Sequence, residues 1–173
     1  MTAMKQKINF LYLPNIAALI FMLSFQWSCS STKPAADASA TSNEEIAAAI
    51  NADNWVFTAK QAMPMRGQTR NLTTTYEVKC GKDTVVSYLP YVGRAYNAQL
   101  GESKSPLDFQ SINFSIDKSQ DNKGRWIVNV KPNDYREVQS LNFTFFESGS
   151  AQLSVQFTGR DPISFSGSVG VGK

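Results

Sequence analysis

The sequence predicts a mainly β domain. Its fold class is an antiparallel meander of about eight strands, rolled into a strongly curved sheet or partly open barrel, with one short N-terminal helix. Three observations lead there. From residue 55 onward apolar residues recur at every second position, the period of a strand with one buried face. Runs of turn-forming residues separate the alternating segments. The inward positions are rich in aromatics, and a meander of that kind tends to curl and hide its edges. A two-sheet β-sandwich is the alternative architecture.

The elements follow in order. Ser42 and Glu45 stand at capping-box spacing, and Ile46 and Ile50 lie four apart around a run of alanines, which predicts a helix of about three turns. It ends near residues 51–54, where helix propensity drops. In "WVFTAK", Trp55, Phe57 and Ala59 share a face; in "TYEVKC", Tyr76, Val78 and Cys80 do. A third strand runs from Asp83 to Leu89. "INFSID" places Ile112, Phe114 and Ile116 inward, and "WIVNV" places Trp126, Val128 and Val130 there. "LNFTFF", "LSVQF" and "ISFSGSV" complete the set. "GKD" at 81, "DNKG" at 121, "ESGS" at 147 and "GRDP" at 159 supply the turns.

The first 28 residues read as a targeting segment. Lys5 and Lys7 precede a mostly apolar run that ends in "SC", the pattern of a signal peptide. The competing reading, a membrane-spanning helix, conflicts with Asn9, Pro14, Asn15 and Gln26 within the run. Here the chain resembles bacterial lipoprotein precursors, whose signal ends in a lipobox and whose cysteine is lipidated. Ser28 and Cys29 match that pattern, while Gln26 and Trp27 stand where an aliphatic and a small residue are usual. The resemblance implies a lipid anchor on Cys29, each buried methylene contributing about 0.8 kcal/mol. Residues 29–43 then form a tether, small and polar, whose flexible part reaches about 20 Å. Residues 44–173 form a single β-rich domain. No acidic cluster follows Cys29, which by lipoprotein address rules points to the periplasmic face of the outer membrane, with the cell surface as the alternative.

Composition removes several chemistries. The chain has no histidine, so Ser-His-Asp and Cys-His nucleophilic pairs and His-based zinc sites are excluded. Of its two cysteines, a lipidated Cys29 leaves Cys80 as a lone thiol on an apolar face, an inert small hydrophobe. No calcium loop and no phosphate-binding loop is present. No cofactor is expected. Setting aside Lys5 and Lys7, 15 basic residues face 14 acidic ones, a net charge of +1 that does not favour nucleic acid. Asp83, Asp108, Asp117 and Asp161 lie in or beside turns, where Asp commonly bonds its own backbone.

The most distinctive stretch is "SYLPYVGRAYNAQ", residues 87 to 99. Pro90 ends a strand, and Gly93 permits a backbone angle that other residues resist. Leu89 belongs to the core. Tyr88, Pro90, Tyr91, Gly93, Arg94 and Tyr96 make the candidate binding surface, with Arg94 stacking on a ring or meeting a carboxylate. The competing reading is a corner that closes the sheet.

With "FTAKQAMP", "LTTTYEVKC" and "GRDPISFSG", this stretch carries a second resemblance. The chain resembles the Bacteroidetes lipoproteins grouped as domain of unknown function 4251, over roughly residues 45 to 170. The resemblance implies a single envelope domain and supplies no catalytic residues. Three functions compete. The first is a non-enzymatic binding module for a small ligand, anchored in the membrane. The second is a lipoprotein that docks on another envelope protein. The third is a small hydrolase-type enzyme using paired carboxylates or a Ser-Lys arrangement.

Overall fold

The computed structural model describes residues 43–94, 96 and 104–172. The expected signal segment 1–28, Cys29, the expected Ser42 cap and the expected tether up to residue 42 lie outside the described residues, as do residues 95 and 97–103.

Helix α1 (Asn43–Asn51) carries Glu44 and Glu45 in its first turn, where the helix dipole favours negative charge, and buries Ile46, Ala49 and Ile50. It stops where Asp53 takes a left-handed backbone angle, φ 53°. Its last carbonyls are capped from across the sheet. Lys118 Nζ donates to the Ile50 and Asn51 carbonyls at 3.2 and 3.0 Å and sits 2.9 Å from Asp53 Oδ1. A cation at a helix C-terminus satisfies orphan carbonyls and complements the dipole.

Nine strands follow: β1 (Trp55–Pro64), β2 (Arg70–Cys80), β3 (Val85–Tyr88), β4 (Asp108–Ser111), β5 (Phe114–Gln120), β6 (Trp126–Pro132), β7 (Val138–Phe145), β8 (Ser150–Phe157) and β9 (Ile163–Val171). They form one sheet in the order β4-β3-β2-β1-β9-β8-β7-β6-β5, antiparallel throughout. The first strand therefore pairs with the last, and the sheet is a nearly closed barrel rather than a sandwich. The edge strands β4 and β5 are separated only by Ile112 and Asn113 and run in the same direction. They are two halves of one broken strand: β4 pairs with β3, and β5 with β6.

Three expectations change at this break. Among the described residues the strands number nine, because "DFQS" is too short for alternation to reveal it. The third strand covers Val85–Tyr88 rather than Asp83 to Leu89. Ile112 is 73% exposed instead of inward, because it lies in the break itself. Of the other positions expected inward, Trp55, Phe57, Val78, Cys80, Val128, Leu141, Phe143, Phe145, Val155 and Phe165 are buried, while Tyr76, Phe114, Ile116 and Trp126 are half-buried against the core's margin.

The interior is packed with rings. Trp55 meets Phe143 and Phe145 edge to face, with centroids 4.8 and 5.0 Å apart, and Phe57 meets Phe143 at 5.7 Å. These are the offsets that aromatic quadrupoles prefer. The break is held differently, by Asp134 from the β6–β7 connection. Its carboxylate accepts hydrogen bonds from Ser111 Oγ and from the Ile112 and Asn113 amides, the latter two at 2.9 and 3.1 Å. Asn133 N donates to the Asn113 carbonyl at 2.8 Å. Phe109 and Tyr135 stack beside them at 4.4 Å. The Ser111 hydroxyl, followed by the backbone amides, holds the Asp134 carboxyl below the usual carboxylate range.

Candidate functional site

The tyrosine-rich stretch leaves β3 at Tyr88. Leu89 goes into the core, 1% exposed, where its amide donates to the Leu107 carbonyl and its carbonyl accepts from Ser105 Oγ at 2.6 Å. Ser87, buried beside it, donates to the Leu107 carbonyl at 2.7 Å. Pro90 follows with no amide to place, so the chain turns away from the ladder here.

The remaining residues of the stretch divide into two groups. Tyr91, Gly93, Arg94 and Tyr96 build a corner around the β8–β9 connection. Tyr91 Oη is the donor shared by the Arg94 carbonyl at 2.8 Å and the Asp161 carbonyl at 3.0 Å. The Asp161 amide returns a bond to the Arg94 carbonyl at 3.1 Å, and the Tyr96 amide donates to Gly159 at 3.0 Å. Tyr96 Oη donates to the Asp161 carboxylate. Asp161 is only 5% exposed, so the acid expected in a turn is instead the buried acceptor of this corner. Burial, with the Asp161 charge behind it, pushes the Tyr91 hydroxyl above its ordinary value; the Asp161 hydrogen bond does the same for Tyr96.

Two readings of the corner are corrected. Gly93 does not take a left-handed angle; glycine is needed because a Cβ there would lie 2.5 Å from Tyr91 Oη, a hydroxyl already fixed by two carbonyls. The cation over the Tyr91 ring is Arg160, 5.6 Å from its centroid, while Arg94 contributes its carbonyl. Arg160 also approaches Glu137 at 3.5 Å, and Phe157 meets the other side of the cluster, 5.1 Å from the Tyr91 ring.

Tyr88 and Pro90 belong to the second group. Tyr88 is 48% exposed, and its ring lies 5.3 Å from that of Tyr76, tilted by 31°. With Pro90, the Tyr91 ring, Lys104, Asp108 and Arg160 they line an open groove of about 470 Å³. Its wall is aromatic and its rim is charged, Lys104 and Asp108 standing 3.5 Å apart. Sequence reasoning missed Tyr76 as part of a surface, because alternation assigned it to the core face; it is half-buried and touches both. It also missed Arg160 and Asp108, which reach the groove only through the return of β9 and the short β4.

Cys80 is 3% exposed, and burial pushes its thiol up to about 12, far from a reactive thiolate. Among the described residues no three His, Cys, Asp or Glu side chains gather as a metal ion requires.

A family model described as "Domain of unknown function (DUF4251)" matches residues 37–169. Among solved structures, the chain is similar to the crystal structure of a DUF4251 family protein from Bacteroides eggerthii DSM 20697. The TM-score is 0.55 at 20% identity, over 78% of this chain and 90% of that one, a likeness of fold. No curated protein matches the chain. The family match spans well over half of the sequence, from residue 37 into the last strand, and the chain belongs to the DUF4251 family.

Proposed function

We propose that this protein is a non-enzymatic binding module of the bacterial envelope. It is anchored by lipid on Cys29 to the periplasmic face of the outer membrane, and it takes its ligand in the tyrosine groove. The observation that carries this reading is the Tyr76–Tyr88 pair, in which the exposed Tyr88 ring meets the half-buried Tyr76 ring at the margin of a core already packed with rings. The exposed Tyr88 ring and the half-buried Tyr76 and Tyr91 rings, beside Arg160 and Pro90, offer flat apolar area with polar edges, the composition of binding hot spots. The corner of Tyr91, Gly93, Tyr96 and Asp161 fixes the wall of that groove, so the residues read from sequence divide into support and contact. The absence of histidine from the whole chain favours binding over general acid–base catalysis.

The docking reading uses the same residues with a protein as ligand, and one experiment covers both. Replacing Tyr88 in the full chain by p-benzoylphenylalanine and irradiating intact cells is expected to give a covalent adduct. A large gain in mass identifies a protein partner, a small one a low-molecular-weight ligand. Adding Tyr76→Ala and Arg160→Ala should weaken the adduct about tenfold or more. An adduct no stronger than that from the same label at Gln156 sinks the groove as a site. Cys29→Ser should move the chain from the membrane to the soluble fraction; persistence in the membrane sinks the anchor.

A further inference from the structure

Strands β7, β8 and β9 lie side by side and contain no Asp, Glu, Lys or Arg. Apart from the four-residue β3, the other strands are different: β1 carries Lys60, β2 carries Arg70, Glu77 and Lys79, β4 carries Asp108, β5 carries Asp117 and Lys118, and β6 carries Lys131. Solvated faces ordinarily intersperse charges of both signs. Here the outward positions are hydroxyls and carboxamides, and the register sets them in a row across five strands. Thr144 stands opposite Gln152, Gln152 opposite Ser166, Ser166 opposite Gln61, and Gln61 opposite Asn71. The row is ordered by its own bonds. Ser166 Oγ donates to Gln61 Oε1 at 3.2 Å, and Gln61 Nε2 donates to Asn71 Oδ1 at 2.9 Å.

The same row becomes concave where β1 bulges. The pairing of β1 with both neighbours slips between Ala59 and Gln61, which puts Lys60 in the bulge. Opposite it, Gly167 lets the strands close in: a Cβ there would lie 1.9 Å from the Thr58 carbonyl oxygen. A bulge and a glycine together bend a sheet. The result is an open groove of about 530 Å³ lined by Gln61, Asn71, Gln152 and Ser166 together with the half-buried Phe146 and with Lys60. It shares no residue with the tyrosine groove.

We propose that this groove binds a neutral oligosaccharide. A sugar hydroxyl both donates and accepts, as do the carboxamides of Gln61, Asn71 and Gln152, so each can be paired without an ion being stripped of water. The C–H face of a pyranose packs on an aromatic ring, and Phe146 supplies one. An anionic ligand would find Lys60 alone as a counter-charge. A protein partner would meet a surface poor in the aromatic and arginine anchors that interface cores use. The groove falls within the size range of ligand sites, about 300–1,000 Å³.

The test uses the full chain in lauryldimethylamine oxide, a detergent without a sugar headgroup. The probes are an array of neutral oligosaccharides (glucans, xylans, mannans and galactans) beside polygalacturonate and heparin fragments. Binding to at least one neutral class is expected, with affinity changing by less than about twofold between low and high salt. Gln61→Ala with Gln152→Ala, both at exposed positions, should weaken it at least tenfold, while Asp117→Asn on β5 leaves it unchanged. A melting curve close to the parent's shows that the double variant is folded. The proposal is overturned by no neutral binding at millimolar concentration, by a preference for the anionic probes, or by binding that survives the double substitution. Self-association abolished by the same two substitutions overturns it too, since a second copy would then be the occupant.

Discussion

The arc from β1 through β9 to β6 and the break between β4 and β5 are stabilised by different means. In the arc every strand has two partners, and each inward position meets another side chain: Phe143 alone contacts the rings of Trp55, Phe57 and Phe145. At the break the ladder stops, and polar groups replace it. Asp134 binds the loose backbone from one side, and Lys118 ties β5 to the end of α1 from the other. Apolar burial is non-directional and tolerates small displacements. Unpaired backbone amides need an acceptor in a defined place. A barrel can therefore be built by alternation over most of its circumference and still depend on a few named polar side chains to close.

Three substitutions test that contrast. The largest effect is expected in the arc. Phe143→Ala removes a fully buried ring from the aromatic cluster and should cost about 3–5 kcal/mol, read as a lower denaturant midpoint with an unchanged slope. A loss under about 1 kcal/mol would mean that the rings are not the core of the arc. At the tyrosine corner, Tyr91→Phe keeps the ring and removes one donor from the Arg94 and Asp161 carbonyls. The expected loss is about 1 kcal/mol. No loss would show that water serves those carbonyls as well, and the corner would then be packing alone.

The smallest effect is expected at the break, and it should be the one that depends on pH. Asp134→Asn puts an amide donor against backbone amides that now donate to a carboxylate. The native carboxyl is held below its ordinary range by Ser111 and the Ile112 amide. Its contribution is therefore complete above the unfolded value of about 3.9 and is lost as pH falls through the lower folded value. The gap in melting temperature between parent and variant should be open at neutral pH and close in that acid window. A gap that stays constant with pH would remove Asp134 from the closure and leave the break to the Phe109–Tyr135 stack.

Much of the fold was legible because alternation is written within each strand. Trp55 and Phe57, Leu141 and Phe143, and Phe165 declare an inward face wherever the partner strand happens to lie. The break was not legible: "DFQS" has too few residues to show a period, and Ile112 looks like a core residue until its strand is seen to be interrupted. The tyrosine stretch was visible as a site but not as two sites. Nothing in "LPYVGRAY" says that Tyr91 turns to Asp161 while Tyr88 pairs with Tyr76, since both partners come from distant segments. The uncharged run of residues 138–145, 150–157 and 163–171 stood in the sequence throughout, and it gains meaning only when those strands are known to be neighbours.

The sequence by itself determined the β class, the helix, most of the inward faces, the turns and the exclusion of histidine chemistry. These follow from local periodicity, propensity and composition, which need no knowledge of the rest of the chain. The tertiary structure alone decided that β1 pairs with β9, that β4 and β5 are one broken strand, and that Gly93 is a matter of space rather than backbone angle. It also decided where the grooves lie. Those outcomes rest on contacts between residues far apart in sequence, as with Trp55 and Val171, whose partners are chosen by the global closure of the sheet rather than by any short stretch of sequence.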